Sequence, residues 1–427
     1  MPIPDKNVSK RPRESEEDKD EATTLSLCEL ACALAPEAAG IRPVSHNETK
    51  QALRRQQDSD FRKLIKRSMH QKKDEVLYDA LVRTETVSRD ASCFLKQAIE
   101  ELAEITLIER TEGKMMEINA FVIPLFLHTS GGLKESRCFQ DQEAFELLSK
   151  SLQSEGLESP QATVVLVNHG YHLNEIDSIT YSHLHEMLRD AFHAMTDKRI
   201  AATPAIDRSM SGWPDSPFAP EDRAIELRFL LGFSLKTVDD PFYAVPEDDT
   251  AADAYFAARE GRFQQWTTSI LPTIKRCFAI DSPVDDAIDA AADDSHSEIH
   301  FLYQDLFHGG KERGIAEYFT LQLISELNRG LQAANKGVEG VRAIIGPIDS
   351  AGEAVLKVQL FGPDAILITQ TEKPVPAMPD WEMEYADTVN ALAMIGVYAV
   401  AVAKKFAADG KAIDPRPYDG PAAATSA

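Results

Sequence analysis

The chain of 427 residues has little cysteine, and what it has is scattered: Cys28, Cys32, Cys93, Cys138 and Cys277. The number is odd, and only Cys28 and Cys32 are close, at the i,i+4 spacing of one helix face. With no CxxC pair there is no disulfide framework and no structural-zinc spacing, and a reducing cytoplasm is the expected setting. Long apolar runs are missing too. The best, residues 391–403, falls short of the roughly 18 residues that cross a bilayer and ends at Lys404 and Lys405. Residues 25–40 mimic the apolar core of a signal peptide, but an acidic stretch precedes them where such a peptide carries basic residues, so a short helix is expected. Positive charge is also in deficit. Lys and Arg number 45 against 69 Asp and Glu, a formal net charge of -24, so the chain as a whole repels nucleic acid. Finally, no GxGxxG follows a strand pattern, the P-loop spacing is absent, and neither GxSxG nor HExxH occurs. These absences remove motif-based grounds for dinucleotide, nucleotide, serine-hydrolase and zinc-protease chemistry, but they do not exclude an enzyme.

What is present is an ordinary globular composition, 43% hydrophobic and 27% charged, with enough apolar material for two or three cores. Residues 1–24 are polar and nearly free of large apolar side chains, and disorder is expected there. Residues 48–109 carry a helical pattern without proline or glycine. The stretch 116–132 is β-branched and aromatic and predicts a strand, with Pro124 pointing to an edge or a bulge. A helix over 140–156, a buried strand over 162–170 and a helix over 177–195 follow. Four prolines between 197 and 222 mark a linker. Beyond it come a strand (224–236), a helical region broken near Pro272, a strand (299–304) and a helix (314–334) with Ile315, Phe319, Leu323, Leu327 and Leu331 on one stripe. Three short strands separated by turn chemistry form a meander, then a helix over 380–395 and a hairpin around Asp409-Gly410.

The expected fold class is therefore α/β, α+β in the C-terminal half. A helical N-terminal segment and a mixed-sheet first domain span 25–196. A second domain with a largely antiparallel sheet and packed helices spans 223–415, and a loose tail covers 416–427.

Three constellations could carry chemistry. His169 and His172 follow the strand at 162–170, at a carboxyl end where α/β proteins place sites, and His183, Glu186, Asp190 and His193 share one face of the next helix. Imidazoles and carboxylates in that pattern could relay a proton or ligate a metal, although a solvated helix face has the same look. The stretch LYQDLFHGGKERGIAEYF places Gly309, Gly310, Lys311 and Arg313 ahead of a helix, where they could hold an anion. There Glu312 opposes, and a plain strand-to-helix turn over 308–313 is the simpler reading. The segment 50–73 collects Arg54, Arg55, Arg62, Lys63, Lys66, Arg67, Lys72 and Lys73 above an apolar stripe of Leu53, Phe61, Leu64, Ile65 and Met69. It could meet phosphates, or it could meet the protein's own acidic surface.

No cofactor is identifiable from these patterns. The leading expectation is a non-catalytic binding or regulatory protein acting through a protein partner or a small anionic ligand. The alternatives are a hydrolase or transferase using the histidines from 169 to 193, with or without a metal, and nucleic-acid binding by the basic helix, which the net charge disfavours.

Overall fold

A computed structural model describes residues 15–38, 48–109, 115–128, 141–196, 225–277, 298–302, 306–349, 354–375 and 379–420. It is a mixed α/β fold with two sheets. Four helices come first, α1 (Glu16–Ala38), α2 (Glu48–His70), α3 (Asp74–Val87) and α4 (Arg89–Glu104). Residues 16–24, expected to be disordered, are instead the first turns of α1. The backbone N–H groups and side chains of Ser15 and Asp18 bond reciprocally at 3.1 Å, a capping box written in the sequence as Ser-Glu-Glu-Asp.

The first sheet contains β1 (Ile105–Glu109), β2 (Met115–His128), β3 (Thr163–His172), β4 (Ile225–Thr237) and β5 (Glu298–Phe301), and every pairing is antiparallel. Its order is β1-β2-β4-β3, with β5 beside β1 on β2. Between β2 and β3 runs α5 (Gln142–Ser154), the crossover expected of a parallel unit. Strand β4 then inserts between them in the opposite direction, which makes the sheet antiparallel rather than mixed. The strand that the sequence reading assigned to the second half thus lies at the centre of the first sheet. The proline-rich segment 197–222 lies outside the described residues. Strand β1, too, was expected to continue a helix, but its Ile-Thr-Leu-Ile run pairs with β2. Pro124 does not sit on an edge strand. β1 pairs with β2 up to Asn119 and β5 from Leu125, so the proline falls in the gap where that side of β2 has no ladder partner.

Alternation along β2 sends its side chains to two cores. Ile118, Ala120, Val122 and Phe126 join a core with α1–α4, α7 (Tyr181–Thr196) and the start of α9 (Phe307–Ala333). Phe121, Ile123, Leu125 and Leu127 join one with α5 and α8 (Asp249–Cys277), where Trp266 is fully buried. Helix α8 runs through Pro272 without the break expected there. A five-residue helix, α6 (Leu173–Asp177), separates β3 from α7.

The second sheet holds the predicted meander β6 (Arg342–Asp349), β7 (Ala354–Phe361) and β8 (Leu367–Pro374), extended by β9 (Ala399–Val402), β10 (Lys405–Phe406), β11 (Ala412–Ile413) and β12 (Arg416–Pro417). Its pairs are antiparallel except β6 with β9 and β6 with β10. Gly410 takes φ +79° in the β10–β11 hairpin, a conformation that glycine reaches without steric cost. One face of this sheet packs on α9 and α10 (Trp381–Met394) through Leu323, Leu327, Leu331 and Leu392. The buried pair Lys373–Glu384, at 3.0 Å, ties β8 to α10.

Helix α9 joins the two sheets. Its 27 residues extend about 40 Å. A Cβ at Gly314 would come within 2.9 Å of Pro124 and 3.0 Å of Phe229 in the first sheet, and one at Gly330 within 2.3 Å of Thr369 in the second. The predicted stripe is real but serves two cores: Ile315 and Phe319 lie against the first, and Leu323, Leu327 and Leu331 fill the other. Among the described residues no helix is long and apolar enough to cross a membrane.

Candidate functional site

The histidines selected from the sequence divide into two groups. His169 and His172 sit at the end of β3, just past an irregularity between Leu166 and Gly170. The His172 backbone N–H donates to Glu175 at 3.0 Å, and His172 Nδ1 accepts from the Asn174 N–H at 3.3 Å, a capping box that opens α6. An accepting Nδ1 puts the ring proton on Nε2. That atom lies 3.6 Å from Glu226 Oε1, and Arg228 Nε lies 2.9 Å from the same oxygen. His169 Nε2 is 3.7 Å from Glu175 Oε2. His172, Glu175, Glu226 and Arg228 are thus buried together at one end of β3 and β4, with His169 partly buried beside them. Glu175, Glu226 and Arg228 were missed from sequence. Two signals were available: the spacing His-x-x-Glu of a capping box, and two charges at alternate positions of a strand otherwise apolar.

His183 and His193 face solvent on α7, and Glu186 pairs with Lys72 at 2.9 Å, which holds its carboxyl below the usual range. Glu186 and Asp190 are half-buried. The stripe is therefore a solvated face and does not converge with His169 and His172. Among the described residues no group of three or more His, Cys, Asp or Glu is arranged to hold a metal ion. His185, off the predicted stripe, is the buried one. Its Nδ1 lies 3.2 Å from the Leu102 carbonyl oxygen, and burial, with His70 beside it, pulls its pKa down to about 4.

The anion-loop candidates are not in a loop. Helix α9 starts at Phe307, so residues 308–313, expected as a turn, form its first turns and Gly309 and Gly310 lie within them. Glycine costs a helix only about 1 kcal/mol relative to alanine. The helix N-terminus is also already occupied, since the His308 N–H donates to the buried Glu104 carboxylate at 3.2 Å.

Lys311 nonetheless lies among groups whose titration is perturbed. It is half-buried, and it forms no ion pair or hydrogen bond among the described residues. The charges that act on it belong to Asp177 at the end of α6, Glu312 beside it and Glu100 on α4, and it acts in turn on His308 of its own helix. The Tyr181 ring is 4.9 Å from that of His308 and 5.3 Å from that of Tyr78 on α3. Lys96 is held by Glu312 at 2.6 Å and lies 3.7 Å from Glu100. Burial lowers the Lys311 pKa against the pull of Asp177, and burial raises Glu100 to about 7 despite Lys96. Burial drives His308 down to about 3, Lys311 adding to the effect. Tyr78 is pushed up to about 12 by burial and by Asp74, and Tyr181 is raised by burial and by Glu100. One oxygen of Glu100 and Nε2 of His308 are buried without a hydrogen-bond partner. Buried unsatisfied groups are rare in folded proteins, and perturbed titrations gather at functional sites.

The basic segment is neutralised in part from within. Lys73 bridges Glu16 and Asp20 of α1 at 3.1 and 2.6 Å, and Arg62 reaches Asp58 and Glu101 at 3.5 and 3.6 Å. Lys63 pairs with Asp60, and Arg54 donates to the Leu34 carbonyl. Phe61, Ile65 and Met69 are buried as the stripe requires, whereas Leu53 is exposed.

No family model matches the chain, and neither does any curated protein or solved structure.

Proposed function

We propose that the chain is a non-catalytic binding or regulatory protein that takes a small anionic ligand at Lys311. The observation that carries this is a half-buried ammonium with no ion-pair partner among the described residues, whereas Lys72, Lys73 and Lys96 each have one. An ammonium of this kind suits a carboxylate or phosphate oxygen as its counter-charge. The cytoplasmic setting belongs to the same proposal, in keeping with free thiols at Cys28, Cys32, Cys93 and Cys277. Thermal unfolding with sodium acetate and with inorganic phosphate tests it. One of the two should raise the melting temperature of the wild type and leave Lys311→Ala unmoved. An equal rise in both proteins, or none in the wild type, overturns it.

The second reading is a hydrolase or transferase at the end of β3, and the His172–Glu226 contact favours it, because a carboxylate behind an imidazole is how a general base is oriented. Turnover of simple esters or phosphate esters by the wild type, lost in His172→Ala, would put this reading first.

A further inference from the structure

The second sheet carries a cavity that neither reading above uses. Alternation along β7 sends Leu356, Val358 and Leu360 into the core and Lys357, Gln359 and Phe361 to the opposite face, where they line this cavity. Residues 408–412 of the β10–β11 hairpin line it too, and its volume of about 690 Å³ is in the range of small-molecule sites. A polar sheet face is ordinarily solvated, yet Lys357 and Gln359 are only 8% and 5% exposed. Gln359 stands opposite Gln370 on β8. Its Nε2 donates to Gln370 Oε1 and to the Gly410 carbonyl oxygen, both at 3.0 Å. The Gly410 carbonyl can only accept, which fixes the orientation of the Gln359 amide and, through it, that of Gln370. Both N–H groups of Gln359 are thus used, whereas Gln359 Oε1 and Gln370 Nε2 make no hydrogen bond among the described residues. Lys357 stands opposite Glu372 and pairs with it at 3.2 Å, which leaves ammonium hydrogens to spare.

We infer that this cavity binds a small uncharged ring with an imide edge, the chemistry of a uracil-type base. The open groups are two donors, Lys357 Nζ and Gln370 Nε2, and one acceptor, Gln359 Oε1. An imide offers the complement, two carbonyl acceptors flanking one N–H donor. The lining calls for no charge on the ligand, since Lys357 is matched by Glu372, and Asp409 and Lys411 are of opposite sign. Ile344 and Leu367 give apolar walls, and the Phe361 ring gives a flat ligand a surface to pack on. This site owes nothing to Lys311 and stands or falls apart from it.

Calorimetric titration of the full-length protein with uridine decides the matter, and saturable binding at millimolar concentration is expected. 3-Methyluridine, whose methyl replaces the imide N–H, should bind at least about tenfold more weakly, because it leaves a polar group of the site unpaired. Gln370→Glu keeps an acceptor for Gln359 Nε2 but removes the donor. It should weaken uridine about tenfold and leave the melting temperature near that of the wild type. Ala408→Trp, at an exposed position of the hairpin, should fill the cavity and abolish binding whatever the hydrogen bonds contribute. Lys311→Ala should bind uridine as the wild type does. No saturable binding of uridine overturns the inference. So does equal binding of 3-methyluridine. Undiminished binding in Ala408→Trp, or its loss in Lys311→Ala, would put the ligand elsewhere and overturns it as well.

Discussion

The Glu104 carboxylate accepts a hydrogen bond from the His308 backbone N–H across 204 positions of sequence, so α4 caps α9. The partial positive charge of a helix N-terminus, which makes such places attractive to anions, is met by the protein's own side chain. The proposed role of the Gly-Gly-Lys stretch therefore rests on the Lys311 side chain rather than on the helix end.

The packing of α9 on the first sheet makes a matched pair of glycine substitutions informative. Gly314→Ala should destabilise the protein by about 1 kcal/mol, because the new methyl meets Pro124 and Phe229 and overpacking outweighs the helix-propensity gain. Gly261→Ala, in α8 with nothing within 4 Å of the added carbon, should instead stabilise by about 0.5–1 kcal/mol. Denaturant midpoints of the two variants against wild type check both signs.

Two opposing titrations should shape the dependence of stability on pH. His185 and His308 have folded pKa values of about 4 and about 3, below the unfolded value near 6.5. The unfolded chain takes up their protons first, so stability is lost as pH falls from about 6.5 toward 4. Glu100 has a folded value of about 7, above its unfolded value, so its contribution is present in acid and is lost as pH rises through 7. Glu100→Gln should be more stable than wild type at pH 8 and gain nothing at pH 4. His185→Gln should flatten the acid limb. Thermal melts across pH 4 to 9 read both effects.

Lys373 and Glu384 test how a buried ion pair behaves in this fold. Lys373→Met leaves Glu384 charged and buried and should cost about 3–5 kcal/mol. The double variant Lys373→Met, Glu384→Leu should recover most of that loss, since apolar packing can replace a buried pair. A double-mutant cycle in urea measures the coupling. Additive losses would show that the pair is not coupled.

Nucleic acid should bind weakly at physiological salt. Lys73, Arg62 and Lys63 already have carboxylate partners, so releasing counterions from a phosphate backbone would require breaking them. Replacing Arg62, Lys63, Lys66 and Arg67 by alanine should leave that weak binding unchanged in a fluorescence-anisotropy titration. Tight binding abolished by the four substitutions would reverse this view.

Local patterns in the sequence determined most of the elements. The meander β6–β8, the strands β2 and β4, the helices α5 and α10 and the turn at Gly410 all follow from periodicity and turn chemistry, which act over a few residues. The mixed α/β class follows from their order. Boundaries that hinge on one cap or one neighbour were less legible. Helix α9 starts at Phe307 because Glu104, distant in sequence, satisfies its N-terminus, and residues 105–109 are a strand because β2 offers an edge. Sheet order was not legible at all. Nothing local marks β4 for insertion between β2 and β3, since pairing partners are selected by long-range burial. The sites divide in the same way. His169, His172 and Lys311 could be chosen by residue type, but Glu226 and Arg228 beside His172, and Glu100 and Asp177 acting on Lys311, come from other elements. Which charges end up paired, and which remain buried and unpaired, depends on distances across the fold that only the tertiary structure sets.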